Sequence, residues 1–591
     1  MKNFYLYFIL FSLFFKFNSI SQNIEWVNHI AKTDGGLEDL NLVVDSKDNL
    51  IGLAYYYSFQ PTYPPVKWCS DKYYQENSSF PIANILFKLD KNGHCKWSRN
   101  LATNEGGLNL DVPLLIDSED NYYLTSSFSG LIQIVPDSFL NSGSPQHTQI
   151  IICKFNSDNE MLWNKILKVN DPSKASPFVL TNHIDHQGNL YLAIDHAQGK
   201  LLYDGELLSY NNLTLNYNTT IIKLNHRGEL IWSKPLQSAY GGVHAFNIKS
   251  DYNGNIVIIG SFNGNLIQVD HFTYYNSDIR RVSTADAFVL KMGDNGKVLW
   301  LKGFGNFQTN DYIGGLEIDL HGCIYISGVS SISGPYKILD SIITDSNLID
   351  PRFIAMIDSL GNRKWIKVLD LGQSNNSGSI TAMTRSNKLI TTWSLTRDSV
   401  IIDDRVIFRI GKGTDSQYDM VYLITDTSGL IENAFCWGGN DFDSILDVSL
   451  QSDDGVIISG KFSSDTLAFG EHTLYKFKNE PTTYPSTDAF IARISPDGMV
   501  ATKDYKSNSQ SLVSILPNPS IDYIQIQLNT EITGEGELQI MNVEGRIMRD
   551  IHVKSGTSDI QLDVRDWPGG VYFVRYIDMV GRSSVRKVVV E

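Results

Sequence analysis

The stretch DAFVLKMGDNGKVLW, Asp286 to Trp300, decides the architecture of this chain. Apolar residues fall at every second place, a tight Gly-Asp-Asn-Gly turn follows, and a second alternating run ends on a tryptophan. Alternation of this kind predicts two strands with distinct faces joined by a hairpin turn. The same grammar recurs upstream as TIIKLNHRGELIW, Thr220 to Trp232. Working outward, Trp26, Trp97, Trp163, Trp232, Trp300, Trp365 and Trp437 are spaced by 71, 66, 69, 68, 65 and 72 residues. Seven of the ten tryptophans therefore occupy one position of a repeat of about 68 residues.

After each Trp comes a Gly-rich loop. A strand then closes on Asp-x-x-Gly-Asn, as at Asp185 to Asn189 and Asp251 to Asn255, and another strand follows at once, as at Ile256 to Phe262. The aspartate opens such a turn through its side chain, and the glycine takes the positive φ. Four strands per repeat, seven times, predict an all-β chain organised as a seven-bladed β-propeller, in which radial repetition protects the sheet edges. The last repeat ends at Ala489 to Ile494 without a Trp strand, so the N-terminal strand Ile24 to Ile30 is expected to complete the seventh blade. The repeats resemble the secreted propeller repeats known as SBBP repeats over about residues 24 to 505, although one blade has Arg385-Ser-Asn-Lys388 in place of the Asp turn.

Residues 1–21 read as an export signal: Lys2, an apolar run from Phe4 to Phe15, and Ser19-Ile20-Ser21 before a cut at Gln22. No later run is apolar enough for a membrane span. Five cysteines, Cys69, Cys95, Cys153, Cys323 and Cys436, are too few to staple a chain of 591 residues. Buried free thiols are the expectation, with a Cys69 to Cys95 bridge as the alternative.

The domain plan is then a propeller over residues 22–505, a polar linker over 506–511 and a second domain over 512–591. That second domain has short strands at about ten-residue spacing, the pattern of a small Ig-like β-sandwich. Leu516-Pro517-Asn518-Pro519, the run Leu538 to Gly545, Gly570-Val-Tyr572 and the terminal Lys587-Val-Val-Val590 resemble the type A C-terminal sorting domain of the type IX secretion system of Bacteroidota. The resemblance implies the type IX machinery as a partner, passage across the outer membrane, and release or attachment to surface lipopolysaccharide.

With 49 Lys and Arg against 65 Asp and Glu, the net charge is −16, which argues against a nucleic-acid partner held by its phosphates. No nucleophile elbow, zinc motif, phosphate loop or calcium loop is present, so neither a cofactor nor a metal is called for. The turn aspartates Asp45, Asp117, Asp185, Asp251 and Asp319, and the pair His183 and His186, are explained by turn chemistry rather than by metal binding.

Two features are candidates for a ligand surface. The loops feeding the innermost strands bring Asp34, Glu105, Tyr240, Asp311, Tyr312 and Asp441 to the propeller mouth, where carboxylates beside rings suit a glycan or protein ligand. The segment Gln60 to Phe80 departs from the repeat and offers Tyr63, Trp68, Tyr73 and Tyr74 as a recognition loop. The expected function is that of an exported, non-catalytic binding or scaffold protein. A glycan-active hydrolase or lyase with carboxylates at the mouth, and a structural or adhesive envelope component, are the alternatives.

Overall fold

The computed structural model describes residues 24–496 and 513–590, apart from segments between strands, the longest being 58–65, 74–81, 344–350, 373–379 and 477–486. The described residues are all-β. Trp26 to Trp437 mark a recurring antiparallel unit, clearest in the fifth repeat: inner strand Asp311–Ile318, second strand Ile324–Ser330, third strand Arg352–Ile357 and outer strand Arg363–Leu369, paired in that order. Between its second and third strands lies a short hairpin, Tyr336–Ile338 with Ser341–Ile343. A hairpin occupies this place in all seven repeats, adding two short strands to the expected four. The Gln60 to Phe80 segment is thus no exception: it holds the first repeat's own hairpin, Val66–Trp68 with Asp71–Tyr73.

The last repeat has inner strand Asp443–Leu450, second strand Val456–Phe462 and third strand Asp488–Ile494, and its outer strand is Ile24–Ile30 from the chain start. Side chains also join the two ends. Leu42 N–H donates to Asp447 at 2.7 Å, Ser449 Oγ to the Leu42 carbonyl at 2.8 Å, and Ser452 Oγ to Asp48 at 2.6 Å. Comparable bonds link other consecutive repeats: Ser46 to Asp120, Asn182 to the Pro113 carbonyl, His183 to Ser250, Asn247 to the Gly314 carbonyl and Arg385 N–H to Asp454.

The tryptophans do more than fill a wedge. Trp232 Nε1 donates to the Asp294 carbonyl at 2.9 Å, in the turn between the third and outer strands of the next repeat. In that turn Gly296 sits at φ 76°, and a Cβ there would stand 3.0 Å from the Trp232 ring, so the missing side chain is what lets the ring lie flat on the turn. The same latch pairs Trp26 with Lys91 O and Gly93, Trp163 with His226 O and Gly228, Trp300 with Ser359 O and Gly361, and Trp365 with Thr427 O and Gly429. Trp26, on the N-terminal strand, reaches the first repeat in the way Trp163, Trp232, Trp300 and Trp365 reach their successors. Trp437 differs in being fully buried.

Third strands are buried on both faces. The lysine at the polar places of these strands points into protein. There it meets the aspartate of the turn between inner and second strands: Lys88 with Asp45 at 2.9 Å, Lys154 with Asp117 at 2.9 Å, Lys291 with Asp251 at 3.2 Å. Desolvation of each charge is offset by its partner and by backbone bonds.

Cys95 is disulfide-bonded, whereas Cys153, Cys323 and Cys436 are free. This corrects the expectation of free thiols throughout; Cys69, the fifth cysteine, lies outside the described residues. Residues 513–590 form two sheets over one core. Val513–Leu516, Tyr523–Leu528 and Asp559–Asp563 make the first, and Ile547–Val553, Gly536–Asn542, Gly570–Asp578 and Ser583–Val590 the second. Ile524, Ile526, Leu538, Ile540, Val574 and Val588 are buried between them.

Candidate functional site

Strand register decides which residues share one end of the repeats. In the fourth, Val243 pairs with Phe262 and Phe262 with Asp286, so inner strands begin, second strands end and third strands begin together. The hairpins and the loops feeding the inner strands leave from this same end.

Of the residues expected there, Asp34, Glu105 and Tyr240 lie outside the described residues. Asp311 begins an inner strand but is fully buried. Its carboxylate accepts from Asn306 N–H at 2.9 Å, Asn306 Nδ2 at 3.1 Å and Ser330 Oγ at 2.5 Å, the bonds of a structural anchor. Asp443 repeats that role, accepting from Ser464 Oγ at 2.6 Å. Its burial, reinforced by the Asp419 charge, pushes its carboxyl up to about 7. Tyr312 is half-buried and faces Phe246, with ring centroids 6.5 Å apart. Asp441 is half-buried and accepts from Phe442 N–H at 2.9 Å, and Phe442 packs against Tyr418 at 5.1 Å.

Trp68 and Tyr73 lie in the first hairpin, while Tyr63 and Tyr74 fall outside the described residues. In the terminal domain Gly570 and Lys587 lie on adjoining strands and Tyr572 is buried, its hydroxyl donating to the Pro568 carbonyl at 2.7 Å. Pro517, Asn518, Pro519 and Gly545 are outside the described residues.

The turn aspartates are engaged within the protein. Asp45 Oδ1 accepts from Lys47 N–H at 3.0 Å and Asn49 N–H at 2.8 Å, and its other oxygen takes Lys88. Burial alone would raise this carboxyl, but Lys88 and Asn49 outweigh it and hold it below the usual range. His183 accepts from Ser250 N–H at 3.0 Å; burial, then the charge of Lys249, pushes its imidazole down to about 3. His186 stacks on Tyr252 at 4.9 Å. Among the described residues no three metal-type ligands converge.

Sequence reasoning missed the most chemically capable group at this end. Asp195, the next-to-last residue of a second strand, is fully buried, and His244 of the following repeat places Nδ1 2.5 Å from its Oδ2. Thr219 Oγ1 donates to the other Asp195 oxygen, and Ala245 N–H donates back to Thr219 at 3.2 Å. Burial raises the Asp195 carboxyl, opposed by His244 and Thr219. The His244 side chain is 33% exposed, so its second nitrogen borders solvent. Phe178, which pairs with Asp195 across the strands, packs its ring against Tyr217 at 5.3 Å. A second pair, His29 Nε2 to Asp488 at 2.9 Å, lies at the same end of the last repeat. Neither pair has a sequence signature, because its members stand 49 and 459 residues apart.

Among known proteins, the secretion system C-terminal sorting domain family matches residues 514–591. No curated protein matches the chain. Solved structures with some likeness include a protein of unknown function from Dyadobacter fermentans, at 11% identity over 80% of this chain and 98% of that one, TM-score 0.32. The NanB sialidase of Streptococcus pneumoniae is 10% identical over 82% and 71%, TM-score 0.33. The Synechocystis apocarotenoid oxygenase is 10% identical over 78% and 94%, TM-score 0.29. Scores this low carry no argument. The terminal match does: two sheets over one core, ending in the motifs of that family, make residues 514–591 a sorting domain, and the chain is exported to the cell surface or beyond by the type IX secretion machinery.

Proposed function

We propose that the exported chain is a closed seven-bladed β-propeller of SBBP-like repeats that binds a ligand at the end where its inner strands begin, without catalysing a reaction. The pairing of Ile24–Ile30 with Asp488–Ile494 supports closure, because it joins the first strand to the last repeat. The binding reading rests on one observation. The described surface at that end holds half-buried or exposed rings, Phe178, Tyr217, Phe246, Tyr312 and Phe442, together with a solvent-bordering imidazole. Rings offer a flat apolar contact and a few fixed polar groups set orientation, the composition of a recognition surface. Hydrolysis of a glycan needs two accessible carboxylates at fixed separation. Asp311 and Asp443 are enclosed by bonds from their own repeats, which favours binding over hydrolysis. Retention of the mature protein on immobilised neutral glycans and cell-wall material tests this; retention on none of them counts against it.

A further inference from the structure

Resting on that reading, we infer that the junction of the third and fourth repeats is a subsite for a neutral saccharide ring, built from Phe178, Tyr217, Gly242 and His244 and oriented by Asp195. Strand register gathers these residues. Asn218 bridges to Val243 and pairs with His196; Phe178 pairs with Asp195; Val243 N–H donates to the Tyr217 carbonyl at 3.1 Å.

Two observations point to a ligand. Asp195 holds His244 through Nδ1, which leaves Nε2 as the nitrogen available to a second partner. Gly242 preserves access to that nitrogen: a Cβ there would stand 3.2 Å from Nε2 and 2.7 Å from the Tyr217 carbonyl. Gly242 is itself fixed, its N–H donating to Asn263 Oδ1 at 2.5 Å.

An imidazole nitrogen suits a hydroxyl group. The tilted Phe178 and Tyr217 rings suit the C–H face of a pyranose. The site's carboxyl group, Asp195, is buried and already bonded to His244 and Thr219, and neither Lys nor Arg is among its residues, so a charged sugar finds no Lys or Arg counter-charge there and a neutral one loses nothing.

The mature protein is titrated calorimetrically with cellotriose, xylotriose, mannotriose, maltotriose and chitotriose. At least one is expected to bind, and His244→Gln and Tyr217→Leu are each expected to weaken that binding tenfold or more while the melting temperature stays within a few degrees. Tyr475→Ala, on an exposed hairpin of the last repeat, leaves it unchanged. Equal binding by wild type, His244→Gln and Tyr217→Leu overturns the subsite while leaving the binding function intact. Binding of none of the five overturns the subsite as stated. Should Tyr217→Leu unfold, His244→Gln decides alone, since Gln keeps a polar group at a partly exposed place.

Discussion

At the residue scale, the repeat depends on a ring lying on a turn that has no side chain. Gly205 and Gly296 have similar backbones, φ 85° and 76°, but a Cβ at Gly205 meets nothing within 4 Å while one at Gly296 meets the Trp232 ring. Gly205→Ala is expected to cost about 1 kcal/mol, the strain of a positive φ alone. Gly296→Ala should cost about 2–3 kcal/mol, because the Trp232 ring and its bond to Asp294 are displaced as well. Urea unfolding of both variants measures the difference, and equal costs would remove the latch from the account. Protons act at this scale too. Burial first, then the Asp39 charge, pushes the Asp447 carboxyl up to about 7, as burial and Asp419 do for Asp443. In the unfolded chain both ionise near pH 4, so between about pH 4 and 7 the folded state holds more protons and stability falls as pH rises. Asp45 and Asp117, held low once Lys88 and Lys154 outweigh burial, act the other way, and their contribution is lost as pH drops below about 4. The melting temperature should therefore be higher at pH 5 than at pH 8, and Asp443→Asn with Asp447→Asn should flatten that slope. A profile rising from pH 5 to 8 contradicts it.

At the element scale, much of the chain was legible. Alternation around DAFVLKM marked a strand because only that period places Ala287, Val289 and Lys291 on one side and Phe288 and Leu290 on the other. The all-β character and the terminal sorting domain were both readable from such patterns, the latter from motifs in order along one short segment. The interstrand hairpins were not. Strands of three to five residues, such as Tyr336–Ile338, are too short for periodicity to show. Nor was the His244–Asp195 pair, which exists only once two repeats pack side by side. The pairing of Lys291 with Asp251 was not legible either, because the aspartate of that turn already had a local explanation. One element carries special weight. Removing Ile24–Ile30 strips the outer strand from the last repeat, the Trp26 bond to Lys91 and the Asn28 bond to Gly93. A chain beginning at residue 31 is expected to unfold at a clearly lower urea concentration, by a broadened transition, and to expose the edge of Asp488–Ile494 to protease. An unchanged midpoint would show that strand to be dispensable.

At the scale of the whole molecule, the sorting domain sends the chain outward and the repeats supply what is displayed. The net charge of −16 separates the molecule from polyanionic partners, and the rings near the inner-strand starts direct attention to uncharged ones. All of this presupposes that the repeats form a ring, with the seventh beside the first. Ser452 of the last repeat and Asp48 of the first meet at 2.6 Å, although 404 residues separate them. The most direct measurement is a short bismaleimide cross-link in the variant Asp48→Cys with Ser452→Cys, read by peptide mass spectrometry on monomeric protein. A closed ring predicts one dominant intramolecular cross-link between those two positions, formed at micromolar protein and independent of dilution. Absence of that peptide pair from the monomer, with both thiols reactive, would contradict closure.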